Sequence, residues 1–117
     1  MSRSRIALLF VLTVAGCGGV LAEGKADFKK GRYAEARETF VAAEPESRNW
    51  EDKRRAEYAL YRGLTHGALG DRAAAGVWLH EAKAIEDAHP ATLSADDMTR
   101  LKLGLESIDP SQAAAAP

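Results

Sequence analysis

Cys17 is the most reactive side chain in this sequence and its only cysteine. A thiolate is the strongest nucleophile among the side chains and forms thioethers readily. With no second cysteine, an internal disulfide is excluded. What remains is modification of the thiol, or an ordinary small residue at the end of a cleaved leader. Other residues with chemical potential are thinly spread. His66, His80 and His89 are the three histidines, and none stands four residues from a second ligand, the spacing that puts two ligands on one helix face. Adjacent acids occur at Glu86-Asp87 and Asp96-Asp97. Paired carboxylates can do acid–base work. One of these pairs fits the first turn of a helix, where acids suit the dipole, and the other lies near a helix end. Lys53-Arg54-Arg55 is basic, but Glu51, Asp52 and Glu57 flank it, so it reads as a solvated helix start. No Gly-rich phosphate loop and no G-x-S-x-G elbow is present. The expectation is a protein that is not an enzyme, with no metal, no cofactor and no small-molecule substrate.

The residues before Cys17 give its chemistry a setting. Arg3 and Arg5 form a basic start, Ile6 to Val14 an apolar stretch, and Ala15-Gly16 the small residues a signal peptidase accepts. The apolar run is shorter than the ~20 residues a stable membrane span needs, so residues 1–16 read as an export signal. Val14-Ala15-Gly16-Cys17 resembles the lipobox of bacterial lipoproteins, in which an aliphatic residue, a small residue and Gly or Ala precede a Cys. The resemblance implies that the Cys17 thiol receives a diacylglycerol, and that cleavage frees its amine for a further acyl chain. Several chains hold a membrane far better than one. Gly18 follows, where an Asp tends in Gram-negative lipoproteins to retain the protein in the inner membrane. The resemblance thus points to the periplasmic face of the outer membrane. Residues 17–24 read as lipidated Cys and tether.

The remainder suits one small helical domain, residues 25–108, followed by a disordered tail, 109–117. Ala is abundant, aromatics make up 7% of the chain, and 16 basic residues nearly balance 17 acidic ones. Without a basic field there is nothing to attract nucleic acid. A short helical stretch at 26–30 ends at Gly31-Arg32. Tyr33, Ala36, Phe40 and Ala43 then recur at helical spacing, Pro45 closes that helix, and 46–49 read as a polar loop. Trp50 begins the next helix. Its stripe of Ala56, Ala59, Leu60, Gly63, Leu64, Gly67 and Ala68 is rich in small residues and predicts close approach of another backbone. Gly70-Asp71 breaks it. Ala75, Trp78, Leu79, Ala82 and Ile85 continue the pattern until Pro90. Ser94 caps a last helix, with Leu101, Leu105 and Ile108 on its face and a staple between Leu93 and Met98.

Two segments repeat at an offset of 39 residues. Gly31-Arg32-Tyr33-Ala34-Glu35-Ala36 precedes Phe40 and Ala43; Gly70-Asp71-Arg72-Ala73-Ala74-Ala75 precedes Leu79 and Ala82. This resembles the second half of a tetratricopeptide repeat, and Gly24 and Gly63 fall at that family's small position in the first helix. The offset exceeds the family's 34 residues, and the prolines are off register. The resemblance implies an all-α fold: a short solenoid of two helical hairpins plus a C-terminal capping helix. Its concave face typically receives a peptide or helix. Tyr58, Tyr61, Arg62, Thr65 and His66, with Lys29 and Lys30, are the residues that face would offer. The functional expectation is a lipid-anchored protein–protein interaction module of the cell envelope whose partner is another envelope protein or peptide. The alternative is a self-associating structural lipoprotein.

Overall fold

The computed structural model describes residues 19–109. The leader, Cys17 and the tail from Pro110 lie outside the described residues. The described chain is all-helical: α1 (Gly19–Lys29), α2 (Tyr33–Ala42), α3 (Glu44–Ser47), α4 (Asp52–Ala68), α5 (Arg72–Ala88) and α6 (Ala95–Ile108). α1 pairs with α2 and α4 with α5, giving two helical hairpins stacked side by side, and α6 closes the stack against α4 and α5.

Two boundaries differ from the sequence reading. α1 starts at Gly19, so residues 19–24 are helix rather than tether. Leu21, Gly24 and Phe28 recur at spacings of 3 and 4, and Leu21 and Gly24 are buried. Two glycines and a short apolar face disguised a helix that tertiary packing makes stable. The expected loop after Pro45 begins as the short α3. Proline is tolerated in a first turn, where its missing N–H costs nothing, and Ser47 Oγ donates back to the Glu44 carbonyl at 2.7 Å.

The 39-residue offset is a geometric repeat, not only a pattern of letters. At the first turn, Arg32 N donates to Asp27 O at 2.8 Å and Gly31 N to Phe28 O at 3.0 Å. At the second, Asp71 N donates to His66 O at 2.9 Å and Gly70 N to Gly67 O at 3.0 Å. Each bond maps onto its counterpart at the same offset. Gly31 and Gly70 have φ of 78° and 87°, the left-handed conformation that ends a helix and that residues with a Cβ adopt at a cost.

The packing repeats as well. Phe40 is fully buried and Leu79 nearly so, and each lies against a glycine of its hairpin's first helix. A Cβ added at Gly24 would stand 2.4 Å from Phe40 Cε1, and one at Gly63 would stand 2.7 Å from Leu79 Cγ. Ala36, Ala43, Ala75 and Ala82, the small residues flanking Phe40 and Leu79, are all buried. The stack therefore rests on a large residue of each second helix seated where the first helix has no side chain.

α6 is held by polar contacts at both ends. Ser94 accepts from Asp97 N, the expected cap. The Asp97 carboxylate does not reach back to complete a capping box; it accepts from Tyr61 Oη at 2.7 Å and from Arg100 Nη1 at 3.1 Å. At the far end, Arg72 donates to the carbonyls of Ser107 and Ile108. Leu93 of the expected staple is buried, whereas Met98 is 38% exposed. Before α6, the buried Glu86 carboxylate accepts from Ala91 N at 2.7 Å and Leu93 N at 2.8 Å. It fixes the loop in which Ala91 takes a φ of 71°. Glu86 is structural, a role its place in an acidic pair did not disclose.

Candidate protein-binding groove

The structure corrects the expected partner-binding residues. Tyr58, Tyr61, Arg62, Thr65 and His66 are all buried, none more than 7% exposed. They cannot line an open face. α4 is in contact with every other described helix, α1, α2, α3, α5 and α6. A single stripe along α4 therefore underestimates what it buries. Of the two lysines, Lys29 places its ammonium 5.7 Å from the Tyr61 ring centre, beside Lys25 at 5.2 Å. Lys30 is exposed.

What these residues build is an internal polar and aromatic cluster. Tyr58 is its hub. Phe40, Trp50 and Trp78 each meet its ring edge-on, at 5.6 to 5.8 Å between centres. Such T-shaped pairs are worth about 0.5–1.5 kcal/mol each beyond their buried area. Tyr58 Oη donates to the Phe40 carbonyl at 2.6 Å, which ties α4 to the end of α2. Burial pushes the Tyr58 hydroxyl's pKa up, and burial with the Asp97 contact does the same to Tyr61, so both remain neutral donors. Thr65 Oγ1 donates to the Tyr61 carbonyl within α4.

Arg62 runs through this cluster. Its Nη1 donates to Tyr58 Oη and to Glu44 Oε1, both at 2.9 Å, and its Nε donates to His66 Nε2 at 3.2 Å. Its guanidinium lies 4.2 Å from the Trp78 ring centre. The hydrogen bond from Arg62 holds the Glu44 carboxyl below its usual range. His66 accepts from a cation, so it must be neutral. Burial lowers its pKa first, then the Arg62 charge; Arg37 acts in the same direction and Asp71 opposes them.

A histidine whose folded pKa lies below its ordinary 6.5 contributes stability above that value. The contribution is lost as pH falls from about 6.5 towards the folded pKa. The urea midpoint is expected to fall between pH 7.5 and 5.5 in the natural chain. The fall is expected to be smaller for His66→Gln, whose amide oxygen can still accept from Arg62. Equal pH dependence in the two proteins would remove His66 from the account.

The open surface lies elsewhere. An apolar groove runs across the end of the stack where the two glycine turns lie. Phe28, Tyr33, Leu64, Gly67, Ala68 and Ile108 line it, with Gly63, Ala75, Leu79, Gly104 and Ser107 at its floor and sides. Gly67 and Ala68 are exposed. A Cβ added at Gly67 would meet only the Ala75 Cβ, at 3.7 Å, an ordinary contact. The small-residue stripe of α4 thus divides: at Gly63, on the groove floor, Leu79 leaves no room for a side chain, whereas Gly67 and Ala68 are exposed in the groove. That division could not be read from spacing, because it depends on where α5 crosses.

A second cleft lies between α3 and α5. It is lined by Glu44, Ser47, Arg48, Arg55, Val77, Trp78 and Glu81, and Val77 is 64% exposed. Its charges are matched within the chain: Glu44 with Arg48 and Arg62, and Arg55 with Asp52 and Glu81. The basic run at the start of α4 is likewise absorbed, with Lys53 paired to Glu57 and Arg54 lying over Trp50. Among the described residues no group of three or more His, Cys, Asp or Glu could hold a metal ion, and no helix is long and apolar enough to cross a membrane. Compared with protein-family models, with curated proteins and with solved structures, the chain matches none.

Proposed function

We propose that this chain is a lipid-anchored interaction module of the bacterial cell envelope: a tetratricopeptide-like pair of hairpins, tethered through Cys17 to the periplasmic face of the outer membrane, that binds a peptide or helix of another envelope protein. The observation that carries the reading is the apolar groove at the turn end. Phe28, Leu64 and Ile108 offer side chains there, and Gly67 and Ala68 leave room for a ligand backbone to approach. The repeated turn and packing geometry supports the likeness to tetratricopeptide repeats, and the lipobox-like residues support the anchor. Catalysis has no place in this reading.

The experiment is photo-cross-linking in cells from a benzophenone amino acid placed at Ala68. A control is placed at Val77, which is exposed in the other cleft. The expected result is one dominant heterologous adduct from position 68 and none from 77. An adduct from 77 alone would move the site to the α3–α5 cleft.

The structural alternative draws on a different surface. Leu103 is 59% exposed and Met98 38% on α6, an open end of the stack on which a second copy could pack. Self-adducts from position 103, with none of another protein from 68, would favour it.

A further inference from the structure

The start of α1 leaves almost no chain between the anchor and the fold. This inference rests on the lipid-anchored reading and adds an orientation to it. Gly18 alone separates Cys17 from Gly19, the first residue of α1. Two Cα-to-Cα steps span at most about 7–8 Å. The headgroup region is itself about 5–7 Å deep beyond the hydrocarbon. A Cys17 whose acyl chains are in the bilayer therefore holds the first turn of α1 at headgroup level. A solenoid anchored this way cannot range freely above the membrane.

Side-chain pairings settle which end of the stack is held. α1 runs parallel to α4: Lys25 Nζ meets Glu57 Oε1 at 3.2 Å, and the Phe28 and Tyr61 rings meet at 5.5 Å. It runs antiparallel to α2, with Phe28 beside Tyr33 and Gly24 beneath Phe40. Gly19 thus stands level with the start of α4 and the end of α2. That end carries Trp50, partly buried against Tyr58, with the Arg54 guanidinium 4.1 Å from its ring centre. Around it, Val20 is half-buried, Val41 is 45% exposed, and the Lys53 side chain is 61% exposed. Tryptophan favours the membrane interface because its ring is apolar with one polar edge. A guanidinium stacked on it is well placed to meet phosphate.

We propose that this end of the stack, formed by the starts of α1 and α4 and the end of α2, rests directly on the phospholipid surface, with Trp50 and Arg54 at headgroup depth. The acyl chains supply the affinity and the rim sets the tilt. Most charges there are paired internally, and the exposed Glu46 and Glu51, which have no ion pair among the described residues, are acidic, so charge does not draw this end to the lipid. The groove lies at the other end of α4, about 25 Å away along a 17-residue helix, and so opens away from the membrane.

The test uses the acylated protein, beginning at Cys17, in vesicles of phosphatidylethanolamine and phosphatidylglycerol. Acylation occupies the natural thiol, so one introduced cysteine takes an environment-sensitive fluorophore cleanly. Glu51→Cys marks the proposed seat and Leu69→Cys the groove end, both at exposed positions. Lipids carrying a quencher near the headgroup are then added. The label at 51 is expected to lose most of its emission and the label at 69 to keep it. Equal quenching, or none at either position, on protein whose Cys17 peptide carries acyl mass overturns the seat and leaves the anchor standing. A Cys17 peptide without acyl mass overturns the anchor, and the seat with it.

Discussion

Phe40→Ala is expected to destabilise the domain by about 3–5 kcal/mol, the usual cost of emptying a buried aromatic site. Phe40 is fully buried, fills the space left by Gly24 and meets Tyr58 edge-on. A domain of about 90 residues is stable by only about 5–10 kcal/mol, so the variant is expected to be marginal. The informative result comes from pairing it with Gly24→Ala. Alone, Gly24→Ala drives a methyl into the Phe40 ring, whose side chain supplies the three nearest atoms. It is expected to cost about 1–3 kcal/mol of overpacking despite the ~1 kcal/mol that Ala gains over Gly in a helix. In the Phe40→Ala background the obstacle is gone, and the same change is expected to become stabilising. A reversal of sign in urea unfolding checks the contact directly. The equivalent cycle at Gly63 and Leu79 is expected to compensate less. There the added methyl also comes within 3.0 Å of the Leu79 backbone nitrogen, which no side-chain substitution removes.

Arg62→Ala is the second large effect, at about 2–4 kcal/mol. Truncation removes the donor to His66 and to the Tyr58 hydroxyl, strips the cover from Trp78, and opens a gap along the buried stem. The partner acid, Glu44, keeps a third of its side chain exposed and can rehydrate, so the value stays below that for orphaning a fully buried charge. Arg62→Lys is expected to recover little. An ammonium cannot serve Glu44, Tyr58 and His66 at once in the fork that guanidinium provides, nor lie flat on the Trp78 ring. Urea midpoints of both variants, with circular dichroism to confirm helix content, provide the check. A loss below about 1 kcal/mol for Arg62→Ala would mean that the cluster is no more than a surface ion pair in its effect.

These two sites mark what the sequence disclosed and what it withheld. The Gly31 and Gly70 turns, the seats of Phe40 and Leu79, and the Ser94 cap were legible because each depends on residues close in sequence or repeated at a fixed offset. The burial of Arg62 and His66 was not legible. Polar residues on α4 look solvent-facing until α3 and α5 close over them, and Glu44 of α3, Tyr58 and His66 of α4 and Trp78 of α5 make an arginine acceptable inside. α1 is longer than its pattern suggests for the converse reason: its helical face is short and interrupted by Gly24, and packing rather than propensity holds it. The groove escaped because it is a surface between elements. Leu64, Gly67 and Ala68 share one stripe with the buried Gly63, and nothing local to α4 separates them.

The most direct test of the account is to put a charge into the groove. Ala68→Arg suits this, since a cation near a helix C-terminus is favourable and Ala68 is exposed, so the fold is expected to stand. The quantity to measure is formation in cells of the heterologous adduct from a photo-cross-linker at Gly67, with and without Ala68→Arg, beside the urea midpoint of the two proteins. The account predicts loss of the adduct at an unchanged midpoint. An undiminished adduct at an unchanged midpoint would contradict it, because a partner indifferent to an arginine at position 68 is not bound in this groove.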